Sequence, residues 1–397
     1  MTGKKNLLVI KFTLLFASSM TIMAGATIAP SLPQMSKVFS YIQNAELIIK
    51  LNATLPALSI ALLAPFAGLI IDTVGRKKLL IYSTILYIIS GTSGLYLGNI
   101  YWILAGRAAL GIAVAGIMTT STTLIADYFD GRERRKFMGL QGGFMSFGGV
   151  VFLTVGGLLA DVHWRLPFAI YGLAIFLLLL IVLYIYEPGI EKEDKPLSIP
   201  PEVRSKLDLK NIALIYLIAF LGFIFFFMIP TQMPFVLEKL DDINNTMIGI
   251  SISISMLVSG MVALNYSRVK NNFSFHNIYV FTFVFLGAGF IIICFSQNYM
   301  LYLLGLIVLG VGMGMLMPNS NYWIATLAPL KVRGRLISNL STAVYLGQFL
   351  SPILIRPLSH NFGINNAFGL AGGSMLLIAL LVVVLPILSI RKTSGTK

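Results

Sequence analysis

A chain of 397 residues that is 57% apolar and only 11% charged stands apart from soluble domains, which run near roughly 45–50% and about 25%. A mean hydropathy of +0.87 excludes both a soluble fold, which could not hide that much hydrocarbon, and a disordered chain, which would not contain it. The surplus of 29 Lys and Arg over 15 Asp and Glu would suggest nucleic acid in a soluble protein, but its placement points to orientation in a bilayer, so no nucleic-acid partner is expected.

A hydrocarbon core about 30 Å thick takes roughly 20 apolar residues per helix. In chain order, twelve windows meet that need: 11–33, 51–71, 79–98, 101–126, 137–160, 166–186, 211–235, 247–266, 276–296, 299–327, 336–358 and 366–390. They predict an all-α integral membrane protein with twelve transmembrane helices. Lys4, Lys5 and Lys11 ahead of the first apolar run resemble a signal peptide. With many spans following and no small-residue cleavage site standing out, this run is read as an uncleaved first span. Most connections are short. The exception, Glu187 to Lys210 (EPGIEKEDKPLSIPPEVRSKLDLK), carries four prolines and dense charge of both signs, the composition of a solvated linker. It divides the chain into an N-terminal six-helix half (1–187), a cytoplasmic linker (188–210) and a C-terminal six-helix half (211–397).

Placing the N-terminus in the cytoplasm puts 23 of the 29 Lys and Arg in loops and tails on that side, which sets both termini inside a plasma membrane. The six left over are Lys37, Lys50, Arg107, Arg165, Lys239 and Arg356. The halves also repeat. At an offset of 199 residues Gly111 meets Gly310, Met118 meets Met317, Ser121 meets Ser320, Arg134 meets Arg333 and Gly148 meets Gly347. Proline pairs, Pro30/Pro33 and Pro230/Pro234, sit near the outer ends of spans one and seven. Two pseudo-symmetric bundles flanking a midplane site are one way transporters are built.

After span two, Gly68-Leu-Ile-Ile-Asp72-Thr-Val-Gly75-Arg76-Lys77-Lys78 places an acid, turn glycines and a basic cluster within eleven residues. This resembles the signature loop of the major facilitator superfamily. Arg107-Ala-Ala-Leu-Gly111 in span four and Asp127 at its end are similar to that family's patterns. Ala29-Pro30-Ser-Leu-Pro33 and Trp164-Arg165-Leu-Pro167-Phe168 are similar to bacterial drug/proton antiporters within it. Three positions depart: Thr73 where Arg is common, Phe152-Leu153 where the antiporter motif has Gly-Pro before Gly156-Gly157, and an acid-free second copy of the loop from Gly260 to Asn272.

The resemblance implies that Asp72, Arg76 and Asp127, with Gly68 and Gly75, form a cytoplasmic latch engaged while the cavity faces outward. Arg107, a turn and a half into span four, is expected to face the cavity, because an intramembrane charge is functional by default. Arg356 near the same face could share an anionic substrate group with it. Gln141 and Phe144 in span five, Gln232 in span seven, Asn319, Asn321 and Tyr322 in span ten, and Tyr345 and Gln348 in span eleven are the candidate lining of a partly aromatic pocket. None of the 15 acids lies mid-bilayer. Glu46 is the candidate proton carrier, with Asp127 second, and Glu46 also fits a plain loop acid paired with Lys50. The expected function is a secondary active transporter, a proton-coupled exporter of small amphipathic or drug-like compounds working by alternating access as a monomer. A metabolite or sugar carrier is the alternative, and a non-transporting receptor a more distant one. Three dispersed His and one Cys offer no metal cluster, so no cofactor, metal or enzymatic chemistry is expected.

Overall fold

The computed structural model describes residues 2–63, 66–188 and 208–394. Twelve long helices run through it: α1 (Leu7–Val38), α2 (Ala45–Leu63), α3 (Arg76–Tyr96), α4 (Ile100–Tyr128), α5 (Gly131–Val162), α6 (Leu166–Tyr184), α7 (Leu209–Leu237), α8 (Asn245–Leu264), α9 (Phe275–Phe295), α10 (Tyr299–Leu327), α11 (Leu330–Phe362) and α12 (Ile364–Ser394). Eleven are long and apolar enough to cross a membrane. The other, α11, is long enough at 33 residues but interrupts its apolar stretch with Ser, Thr, Asn, Gln and two prolines. It packs against α2 and α7, with Tyr345 and Gln348 on a central cavity, so its polarity belongs to the cavity rather than to a lipid-facing surface. An even number of spans returns the chain to the face it started from. That side is called here the terminal face, and its opposite the far face. The linker expected over 188–210 falls almost wholly outside the described residues.

Each half has its own core: residues from Ile10 to Ile185 bury together in one, and residues from Ile212 to Val382 in the other. Ala29 of α1 and Leu153 of α5 are N-terminal residues that join the C-terminal core, which marks where the halves touch.

The repeat is visible in the helices themselves. α1 loses its α-helical path after Ala26, four residues before Pro30, and α7 after Phe226, four before Pro230. A proline has no N–H to give the carbonyl four residues back, so each pair breaks its helix at the matching place. A Cβ on Gly111 would collide with the Pro56 carbonyl and one on Gly310 with the Ser255 carbonyl, two glycine-to-backbone approaches separated by the same 199 residues. Small residues let α4 lie against α2, and α10 against α8, at backbone distance.

Candidate functional site: a central cavity closed on the far face

Between the halves lies a cavity with about 1120 Å³ of space unoccupied by atoms, counting what is continuous with solvent. Its wall runs from Ala53 to Ile60 on α2 and from Met256 to Ala263 on α8, nearly to the terminal-face ends of both helices. The breaks in α1 and α7 reach it through Gly25 and Ala26 on one side and Phe226 and Phe227 on the other. Tyr345, Gln348, Met145, Ser146, Met313 and Met317 complete much of the rest. None of its described lining residues is charged.

On the far face the halves are joined. The carboxylate of Asp161, at the end of α5, accepts hydrogen bonds from the backbone N–H groups of Asn245 (2.7 Å) and Thr246 (3.1 Å) in the first turn of α8, and one from the Thr246 hydroxyl. Ser253 donates to the Val150 carbonyl at 3.2 Å just below. Lys37 of α1 pairs with Glu238 after α7 at 2.7 Å, Lys50 of α2 donates to the Gln232 side chain, and Arg356 of α11 donates to the Asn44 side-chain oxygen.

At the terminal face, the signature loop forms a short helix, Ala67–Val74, ended by Gly75 at φ +90°, a conformation glycine reaches without a Cβ penalty. Gly68 and Asp72 belong to this helix, and the Asp72 side chain lies outside the described ones. Arg76 Nε is 3.3 Å from the Asp127 carboxylate, which brings together two of the latch residues, on α3 and α4 of the same half. Sequence reasoning did not anticipate a third acid at this loop. Glu187 at the exit of α6 accepts from the backbone N–H groups of Arg76 and Lys77, both at 2.7 Å, and so occupies the N-terminus of α3.

The candidate lining residues separate into two groups. Tyr345 and Gln348 face the cavity, as do Phe223, Phe226 and Phe227. Arg107 does not, which corrects the expectation for it. Its guanidinium is wholly buried inside the N-terminal half, where Nε donates to the Asn52 carbonyl (2.8 Å), Nη1 to the Tyr171 hydroxyl (2.9 Å) and Nη2 to the Ala24 carbonyl. It therefore holds α1, α2 and α6 to α4 two residues before α1 breaks, and it shares no site with Arg356, which lies on the far face. Gln141 donates to the Ser18 hydroxyl at 2.8 Å, and Phe144 packs into the N-terminal core. The cavity takes their neighbours Met145 and Ser146 instead, since each residue turns a helix by about 100°. Gln232 is buried at the far-face closure. Asn319 is buried between the Tyr266 hydroxyl, which donates to it at 2.9 Å, and the Phe275 carbonyl, to which it donates at 3.0 Å. Burial pushes the Tyr266 phenol up to about 12, so at neutral pH it keeps the proton this bond requires. Asn321 and Tyr322 also fall outside the cavity lining. Glu46 is exposed and paired with Lys50 four residues on, whereas Lys50, 3% exposed, is the more unusual group of the two.

The sequence profile of the Major Facilitator Superfamily matches residues 14–241 and 215–396, and the chain belongs to that superfamily. It is a multi-pass membrane transporter. It is 25% identical over 321 residues to a multi-drug resistance efflux pump PmrA homolog of Lactococcus lactis, covering 78% of each chain. It is 22% identical over 309 residues to the quinolone resistance protein NorA of Staphylococcus aureus, covering 76% of this chain and 78% of that one. Its fold is that of the crystal structure of a D-xylose-proton symporter, with a TM-score of 0.78 at 15% identity over 95% of this chain and 97% of that one.

Proposed function

We propose that this transporter exports small amphipathic compounds across the plasma membrane, exchanging them for protons and working as a monomer with both termini in the cytoplasm. The observation that carries the reading is the cavity wall. Aromatic rings (Phe223, Phe226, Phe227, Tyr345) and thioethers (Met145, Met256, Met313, Met317) dominate it, with a few hydroxyls and one amide as its polar groups. Such a wall binds by apolar area and adapts to shape, because methionine is flexible and polarizable. A sugar site would need many fixed donors and acceptors, since each hydroxyl desolvated without a partner costs about 1–3 kcal/mol. The names of the two efflux relatives agree with export of such compounds, and proton exchange is taken from the likeness to drug antiporters. With the far face joined and the cavity wall reaching the terminal face, this conformation is read as the inward-facing one.

The test is uptake of lipophilic dyes and drugs into proteoliposomes that hold inside-out protein, with and without an acid interior. Transport at least several-fold faster with the proton gradient is expected. Turnover that ignores the gradient defeats the antiport reading, and transport of sugars in place of lipophiles defeats the substrate class.

A further inference from the structure

The far face has two helix junctions related by the repeat, α5 with α8 and α2 with α11. The first is tight. The second opens into a vestibule with about 1420 Å³ of space, counting what is continuous with solvent, and it shares no lining residue with the central cavity. We propose that this vestibule is a second binding site, for the carboxylate of a small amphipathic acid arriving at the far face. The inference rests on the far-face geometry and not on the exporter reading.

Three cations converge here from three elements: Lys50 of α2, Lys239 just after α7 and Arg356 of α11. Arg356 and Lys239 each repel the Lys50 charge, less strongly than Glu46 attracts it. Two acids, Glu46 and Glu238, also line the vestibule, and Glu46 offsets Lys50. Glu46 is committed to Lys50, and Glu238 to Lys37. Arg356 meets an amide oxygen, that of Asn44, and among the described residues neither it nor Lys239 has a carboxylate within 4.0 Å. A separate observation points the same way. Gln232 gives its oxygen to Lys50, which leaves its buried Nε2 donor with no acceptor. Gln232 is buried behind Lys50 and does not itself line the vestibule, so its donor marks hydrogen-bonding potential left unmet next to the cations rather than a direct contact. The ring of Phe235, 4.6 Å from the Lys50 nitrogen, and Pro352 give an apolar body something to lie against, which favours an amphipathic acid over an inorganic anion. Because the cations come from both halves, the site exists only while the far face is closed.

The experiment measures equilibrium binding of radiolabelled 2-naphthoate and of 2-naphthamide to the full-length protein in neutral-lipid nanodiscs, with empty nanodiscs as background. Saturable naphthoate binding is expected, with naphthamide at least tenfold weaker. The double substitution Lys239→Gln/Arg356→Gln should weaken naphthoate binding at least tenfold, while Lys239→Arg/Arg356→Lys, which keeps both charges, should stay within about threefold of the parent. Should the double Gln variant fail to fold, Lys239→Gln alone, at an exposed position, decides the matter with a loss of about threefold. No saturable naphthoate binding, equal affinity for the amide, or binding indifferent to the loss of charge would overturn the proposal. Any of these would leave the central cavity, and the reading built on it, untouched.

Discussion

Arg107 shows how a charge deep in a membrane helix can serve the protein rather than its cargo. Three of its nitrogens are engaged, two of them with backbone carbonyls on α1 and α2. The Ala24 carbonyl lies in the last turn of α1 before the Pro30 break, where backbone hydrogen bonding is about to fail. Replacing Arg107 with Ala removes the donor to the Asn52 carbonyl, leaves the Ala24 carbonyl only its 3.2 Å bond from the Tyr171 hydroxyl, and opens a space in a packed wall, at about 1–3 kcal/mol for each group left unsatisfied. The expected result is a drop of many degrees in the thermal unfolding midpoint of Arg107→Ala, and a smaller one, about 1 kcal/mol, for Tyr171→Phe. In protein that remains folded, ligand affinity should stay within about threefold, which scintillation binding can check; a selective loss of affinity with unchanged stability would return Arg107 to the site. The depth of this arginine was legible in the sequence, whereas its partners were not. They lie on α1, α2 and α6, and nothing in spacing along α4 says which neighbour a side chain will meet. Lys50 illustrates the reverse. Its position four residues after Glu46 announced an ion pair, but only the packing of α2 against α7 reveals that it is buried.

At the scale of elements, much more was readable. The twelve spans, the breaks at the proline pairs and the offset between halves all follow from local chemistry, namely apolar length, missing N–H groups and glycines where backbones approach. The lining of the cavity was only partly readable, because a shift of one residue around a helix moves a side chain from the cavity to the core, as Phe144 and Met145 show. The start of α3 was misread by omission. Glu187 stands by sequence at the very end of the N-terminal half, where the charged stretch begins, yet it closes the N-terminus of α3 with two charged hydrogen bonds while Gly75 turns the chain ahead of it. Any Cβ on Gly75 would sit 3.3 Å from that carboxylate and at a φ that side chains avoid. Glu187→Gln keeps the shape but loses the charge and one of two equivalent acceptor oxygens, at a cost of about 1 kcal/mol for a partly exposed cap. Amide hydrogen exchange in the first turn of α3 should accelerate about fivefold, with the rest of α3 unchanged. An unaltered exchange pattern would mean that this turn does not depend on the Glu187 charge.

For the whole molecule, the question is what holds one end shut, since two rigid halves can alternate only if each closure is strong enough to form and weak enough to break. On the far face the α5–α8 junction has a complete account. The first N–H groups of α8 have no partner within their own helix. Asn245 and Thr246 give theirs to Asp161 of the other half, and Met247 gives its own to Asn244 at 2.9 Å. Parting the halves returns two of these donors and a carboxylate to water, so the bonds favour closure by a small net amount. Asp161→Asn retains a single acceptor oxygen and no charge, so closure should weaken by about 1–2 kcal/mol, or roughly tenfold in the ratio of closed to open far face. A cysteine at position 154, against Ser253 at this junction, reports the opening in a Cys294→Ser background. Maleimide should label Thr154→Cys about tenfold faster when Asp161→Asn is added. Equal labelling rates with and without Asp161→Asn would place the closing force elsewhere, at the α2–α11 junction with Lys50 and Arg356.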